Sequence, residues 1–248
     1  MKKIYLLLLF ICSCFLLNAQ SKEAADNAYI KKNYKNAVQL YEELLANKGE
    51  SADIYYNLGN SYYKLNNISK SILNYERALL LNPGDNDTQA NLDFVRSKTV
   101  DKITPVSEMF FITWIKSLIN SQSERSWSYI GITTFILALL MIILYVFGNK
   151  VILKKIGFIS AIVLILICVS SNIFAYEKKT DLLGHKEAII MTATVPIKST
   201  PNQDGTDLFI LHEGTKVTIK DDTMKNWKEI RLSDGNVGWI QTKDIEII

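Results

Sequence analysis

The chain has 248 residues, 48% of them hydrophobic, with 28 Lys or Arg against 25 Asp or Glu and a net charge of +3. Lysines scattered among acids give no basic stripe for nucleic acid, and the length leaves room for a membrane hairpin with one small domain on each side. Of the three cysteines, Cys12 and Cys14 fall near the N-terminus and Cys168 inside an apolar run, so neither a disulfide framework nor a cysteine metal site is expected, and no cofactor. Residues 1–19 carry the marks of an export signal: Lys2 and Lys3, an apolar run over 4–17, and a small-residue exit at Asn18 and Ala19. Cleavage after Ala19 is one reading, and a lipoprotein box over Ile11, Cys12, Ser13 and Cys14 is another.

Residues 20–97 are rich in Ala, Leu, Lys, Glu and Asn, and the pattern predicts helices. Tyr29 and Tyr63, Ala37 and Ser71, Tyr41 and Tyr75, and Leu45 and Leu79 pair at a spacing of 34. Tyr55, Leu58, Gly59 and Tyr62, then Ser71 and Tyr75, then Pro83, form a series that resembles the tetratricopeptide repeat, a helix-turn-helix unit of that length. Gly59 would let the paired helices approach closely, and Pro83 with Gly84 would end the second. The first copy is weaker, with Ala24 and Ala25 in place of the Leu-Gly pair. Residues 86–97, where Asn91-Leu92 repeats Asn57-Leu58, read as a capping helix. The resemblance implies a protein-binding concave face made of Asp26 and Tyr29 in the first copy and Asp53, Tyr56, Asn60, Tyr63 and Lys64 in the second. By residue type alone the same positions also read as solvated helix faces or aromatic packing.

Residues 98–105 are polar and end in Pro105, which predicts a hinge. Met109, Phe110, Phe111, Ile112, Trp114, Ile115, Leu118 and Ile119 follow, so residues 98–128 read as a linker with an amphipathic helix, lying at a membrane interface or packed on the repeat domain. Residues 129–147 and 156–176 are two charge-free apolar runs, each long enough to cross ~30 Å of hydrocarbon as a helix. Lys150, Lys154 and Lys155 crowd the loop over 148–155, which favours its cytoplasmic placement. The competing reading is a pair of core helices, but nothing else in the chain would cover two such all-round apolar elements. The export signal and the lysine loop together predict two spans in a bacterial inner membrane with both soluble domains periplasmic.

Residues 177–187 are charged and read as a loop. From Ala188 short alternating runs are broken by Asp204-Gly205, Glu213-Gly214, Asp221-Asp222 and Asp234-Gly235. Ile189, Met191, Ala193 and Val195 are expected to face inward, as are Val217, Ile219, Ile230 and Leu232. Residues 187–248, with Gly214 and Gly238 at turns and Trp227 and Trp239 as core or groove residues, resemble the bacterial Src-homology-3-like domain and are expected to fold alone. His185 and His212 each stand without a metal-ligand neighbour.

The expected fold class is thus a multidomain membrane protein: α-helical tetratricopeptide repeats, a transmembrane α-hairpin and a small all-β barrel. This order of segments resembles the tetratricopeptide member of the Bacteroides aerotolerance (Bat) proteins. That resemblance implies partners with von Willebrand factor type A domains and a MoxR-type ATPase, besides the lipid bilayer. The function it implies is a non-enzymatic scaffold or adaptor in envelope integrity or aerotolerance. The alternative is a wall tether whose barrel binds peptidoglycan. No intramembrane charge marks a transport path.

Overall fold

The computed structural model describes residues 22–107, 109–184 and 186–248. The expected export signal, and His185 with it, lie outside the described residues. Good helix formers between short turns give α1 (residues 22–30), α2 (Tyr34–Lys48), α3 (Ala52–Lys64), α4 (Ile68–Leu81) and α5 (Asn86–Arg96). The turns repeat as faithfully as the helices. Lys32 and Asn66, one repeat apart, both take left-handed backbone at φ 60° and 59°. The next residue caps the following helix in each case: Asn33 Oδ1 accepts from Asn36 N at 3.4 Å and Asn67 Oδ1 from Lys70 N at 3.1 Å. Asp85 caps α5 by accepting from Asp87 N and Thr88 N.

The C-terminal part forms β1 (Glu187–Ile190), β2 (Thr194–Lys198), β3 (Asp207–His212), β4 (Lys216–Asp221), β5 (Trp227–Arg231), β6 (Val237–Gln241) and β7 (Ile245–Ile247). They pair antiparallel in the order β3-β2-β6-β5-β4-β1-β7. Every strand sends a side chain into one buried cluster, among them Ala188, Ile190, Val195, Ile197, Leu211, Val217, Ile219, Ile230, Ile240 and Ile245. A flat sheet cannot bring its two edges to one core, so this one curls around its own apolar face, bending at irregularities after Ile197 and Ile219.

β1 differs from the expected alternation by one residue. Ala188 and Ile190 face the sheet core, Ile189 and Met191 face the opposite way, and Ala193 is exposed. Because strand side chains alternate with period two, a shift of one exchanges the faces. Ile189 is nevertheless fully buried, because its face packs on the helices in a cluster with Ile72, Leu73, Tyr75, Leu92 and Val95. The repeats and the sheet are therefore parts of one compact unit, made of the described residues up to 81 with 85–106 and 186–248.

Polar contacts reinforce the junction. Lys216 Nζ lies 3.1 Å from Glu76 Oε2 and 2.6 Å from Glu187 Oε2, and Glu76 also pairs with Arg96. Burial opposes the Lys216 charge, but the two carboxylates outweigh it and raise its pKa. Arg77 donates to Ile247 O at 2.6 Å and pairs with Glu246. The expected hinge over 98–105 is instead clamped. Asp101 accepts from His212 N at 2.7 Å and Thr215 Oγ1 at 2.7 Å, with His212 Nδ1 at 2.8 Å. Ile103 packs on the sheet core, and Val106 N donates to Ser233 O. A half-buried carboxylate with three hydrogen-bond partners thus ties this polar segment to the turn before β4.

The second unit holds α6 (Phe110–Ile119), α7 (Glu124–Phe147) and α8 (Val151–Gly184). α7 and α8 are long and apolar enough to cross a membrane. Small residues let them approach: a Cβ on Gly157 would meet Met141 O at 2.8 Å, and Ala138, Ala161 and Ala175 are buried. At one end Trp127 stacks edge-on against Phe174, with centroids 5.0 Å apart. α8 starts at Val151, so only residues 148–150 stay outside the helices, and it runs on to Gly184 where a loop was expected. Charge alone suggested that loop, yet Glu177, Lys178 and Lys179 are sound helix formers and the first breaker is Gly184.

Candidate functional site

Positions i, i+4 and i+7 share a helical face, which sets Tyr56, Asn60 and Tyr63 on one stripe of α3. α1 and α5 flank that stripe with a constant offset. Asp26 pairs with Asn57, Asn60 with Asn91 and Tyr63 with Phe94, each 31 residues on. The constancy means that α5 stands in the place of a third repeat's first helix. Tyr29 lies at the α1 end, edge-on to Tyr34 with centroids 5.4 Å apart. Burial raises its phenol pKa, and the nearby Tyr34 and Tyr56 add to the shift. Tyr63 meets Phe94 at 5.7 Å, and Lys98 lies over both rings, 4.8 Å from Phe94 and 5.9 Å from Tyr63. Lys64 Nζ also stands over the Tyr63 ring, at 5.8 Å.

The amide groups are partly engaged within the chain. Asn60 Oδ1 accepts from Tyr75 OH at 2.7 Å and from Asn91 Nδ2 at 3.2 Å, and Asn91 Nδ2 also donates to Tyr56 OH at 3.2 Å. Tyr75 is buried, and burial pushes its pKa up. Asp26 serves the interior, accepting from Tyr41 OH at 2.5 Å and Asn57 Nδ2 at 3.4 Å. Asp53 is exposed at the margin, 3.7 Å from Lys22 Nζ. Of the expected site residues, Tyr29, Tyr56, Asn60 and Tyr63 thus line one face, with Lys64 and Asp53 at its edges. Asn91, Phe94 and Lys98 belong to the same face. Extending the 34-residue spacing through Asn91-Leu92 would have pointed to α5.

The arrangement offers aromatic surface, amide groups and ammonium charge along three parallel helices, the chemistry of holding a peptide. Among the described residues no cluster of three or more His, Cys, Asp or Glu could hold a metal ion. On the other side of the repeats a cleft of about 250 Å³ is lined by Glu42, Tyr55, Tyr62, Lys70, Arg77 and Glu246, with Leu45, Leu58 and Leu73 beneath. In it Tyr62 OH donates to Glu42, and Lys70 Nζ lies 5.0 Å from the centre of the Tyr62 ring.

Residues 52–85 match the tetratricopeptide repeat. The match covers α3, α4 and the Pro83-Gly84 turn, one repeat in length, and includes the close approach of Gly59 to Tyr75. No curated protein matches the chain. A tetratricopeptide repeat with a flanking pair of helices on one side and a further first helix on the other fits a protein-binding adaptor.

Proposed function

We propose that this chain is a membrane-anchored adaptor that holds partner proteins in its tetratricopeptide groove and has no chemistry of its own. The observation that carries the proposal is the continuous face of Tyr29, Tyr56, Asn60, Tyr63 and Phe94 across three helices. Tyr56 and Tyr63 supply area, and Lys64 and Lys98 supply charge. Replacing Tyr63 with Ala is expected to weaken partner binding by on the order of 1 to 3 kcal/mol. A photo-reactive amino acid at the exposed Lys64 should cross-link the partner in intact cells, and Tyr56→Ala with Tyr63→Ala should abolish that yield while the helical signal persists. An unchanged yield in the double variant removes the groove from consideration.

The membrane reading has its own support. Two apolar helices lie in sequence between the repeats and the sheet, and those two share a buried cluster. Segments with a common core must lie on one side of a bilayer, which an even number of crossings satisfies. Lys150, Lys154 and Lys155 favour the cytoplasm for the short turn, leaving the repeats and sheet outside. The order of segments fits the Bat set, so the candidate partners are its von Willebrand factor type A proteins and MoxR-type ATPase, in aerotolerance or envelope integrity.

A wall tether acting through a Src-homology-3-like sheet is a second reading. In its favour Trp227 is half-buried and lines a cleft of about 230 Å³ with Gln203, Asn226, Gln241, Thr242 and Lys243. Co-sedimentation of the purified chain with isolated peptidoglycan, lost on Trp227→Ala, would move the binding role to the sheet.

A further inference from the structure

α6 is ten residues long and buries none of them. At 100° per residue Phe110, Trp114 and Leu118 form one row and Phe111 with Ile115 the adjacent row, and all five are exposed, Phe110 at 85% and Trp114 at 68%. The half-buried Ile112 and Ile119 extend the apolar arc to about 200°, and Thr113, Lys116 and Ser117 fill the remaining arc of about 160°. A single protein groove covers one stripe of a helix. An apolar arc this wide, facing a polar arc of nearly the same width, suits a helix lying in the plane of a boundary between water and an apolar medium.

The position of α6 says which medium. Trp127 Nε1 donates to Ile119 O at 3.0 Å, and Lys178 Nζ donates to Asn120 Oδ1 at 2.7 Å. Trp127 begins the apolar part of α7, and Lys178 lies just past Tyr176, where the apolar part of α8 stops. The C-terminal end of α6 is therefore pinned to both apolar helices at the level where each changes from apolar to polar. Trp127, Tyr129 and Tyr176 mark that level, as aromatic residues do at the edges of membrane spans. A helix held there has water on one side and the lipid headgroup boundary on the other.

From this geometry we infer that α6 lies flat in the outer headgroup layer of the bilayer, with Phe110, Phe111, Trp114, Ile115 and Leu118 in the acyl boundary. The inference rests on the membrane reading of α7 and α8, and the test separates the two. Full-length chain with Cys12, Cys14 and Cys168 replaced by serine is spin-labelled singly at Phe110→Cys, Phe111→Cys, Trp114→Cys, Ile115→Cys or Leu118→Cys. Thr113→Cys, Ser117→Cys and the span position Leu140→Cys serve as references. Each is reconstituted in vesicles of phosphatidylcholine and phosphatidylglycerol and exposed to oxygen, which concentrates in lipid, and to a water-soluble nickel chelate. The five apolar positions are expected to lose nickel accessibility while keeping that of oxygen, with Thr113 and Ser117 open to nickel and Leu140 shielded more deeply. If the five positions are open to nickel while Leu140 is shielded, α6 lies in water and the inference falls with the spans intact. Positions shielded from both reagents would mean that protein covers α6, which also overturns it. Nickel access at Leu140 would overturn the membrane reading and this inference together.

Discussion

A methyl group built on Gly59 would meet Tyr75 Cδ1 and Cε1 at 2.7 Å, and the Tyr75 ring has nowhere to go because it is buried and its hydroxyl is tied to Asn60. Gly59→Ala is therefore expected to destabilise the repeats by ~1–3 kcal/mol, read from the thermal melting of the full chain in detergent; an unchanged midpoint would show that α3 and α4 can separate freely. Asp101 makes a different kind of contact. Burial pushes its pKa up, but the hydrogen bonds from His212 and Thr215 together outweigh that and hold it below the usual carboxylate range. A depressed folded pKa means that the unfolded chain takes up the proton first as pH falls. The clasp therefore stabilises fully above the ordinary carboxylate value of about 4 and is lost on acidification through the lower folded value. Asp101→Ala, which leaves the His212 and Thr215 donors without their acceptor, should cost about 1–3 kcal/mol at neutral pH. The gap from the unaltered chain should narrow in denaturation curves taken below about pH 4, and a gap independent of pH would contradict the assignment.

Among the elements, β1 is the one with two buried faces. Its Ala188 and Ile190 complete the sheet core while Ile189 completes the core of α4 and α5. The turn that leads into β4 presses from the same direction: Gly214, at φ +84°, would set a Cβ 2.9 Å from Thr99 and 3.0 Å from Ile72. Glycine is required there twice, by the left-handed backbone and by the helix beneath. Ile189→Ala should cost ~2–5 kcal/mol, and because the cavity opens between helices and strands, amide exchange should rise together in α4, α5 and the sheet. A rise confined to the strands would mean that the helices keep their own core.

For the whole molecule, the shared cluster revises the expectation that residues 187–248 fold alone. Expressed without the helices, that segment would expose Ile189, Met191 and Ile248 on one face. It is expected to associate or to show weakly protected amides, and addition of residues 22–106 should restore protection; full protection of the isolated segment would return it to independence. The same cluster reaches the proposed partner face, since Tyr56 and Tyr63 pack against it from the groove side. The sheet thus backs the helices that form the proposed groove.

The helical repeat was legible in sequence because its packing rule is local. Gly59, Leu58, Tyr62 and Pro83 act within one helix pair, and a spacing of 34 recurs whatever lies beyond it. The apolar helices were legible for the same kind of reason: length and absence of charge are properties of a segment. What the sequence could not determine is which face of β1 meets what. Period two defines two faces without naming their neighbours, and here both are buried, one by strands and one by helices far earlier in the chain. The expected hinge failed similarly, since Asp101 reads as a solvated acid until the turn holding His212 and Thr215 is folded against it. The face of Asn60 also looked free for a ligand, and its carbonyl proved to be shared by Tyr75 and Asn91. Local rules fixed the elements of this protein; contacts between residues far apart in the chain, which only the tertiary fold brings together, decided that its helical repeats and its sheet are one body.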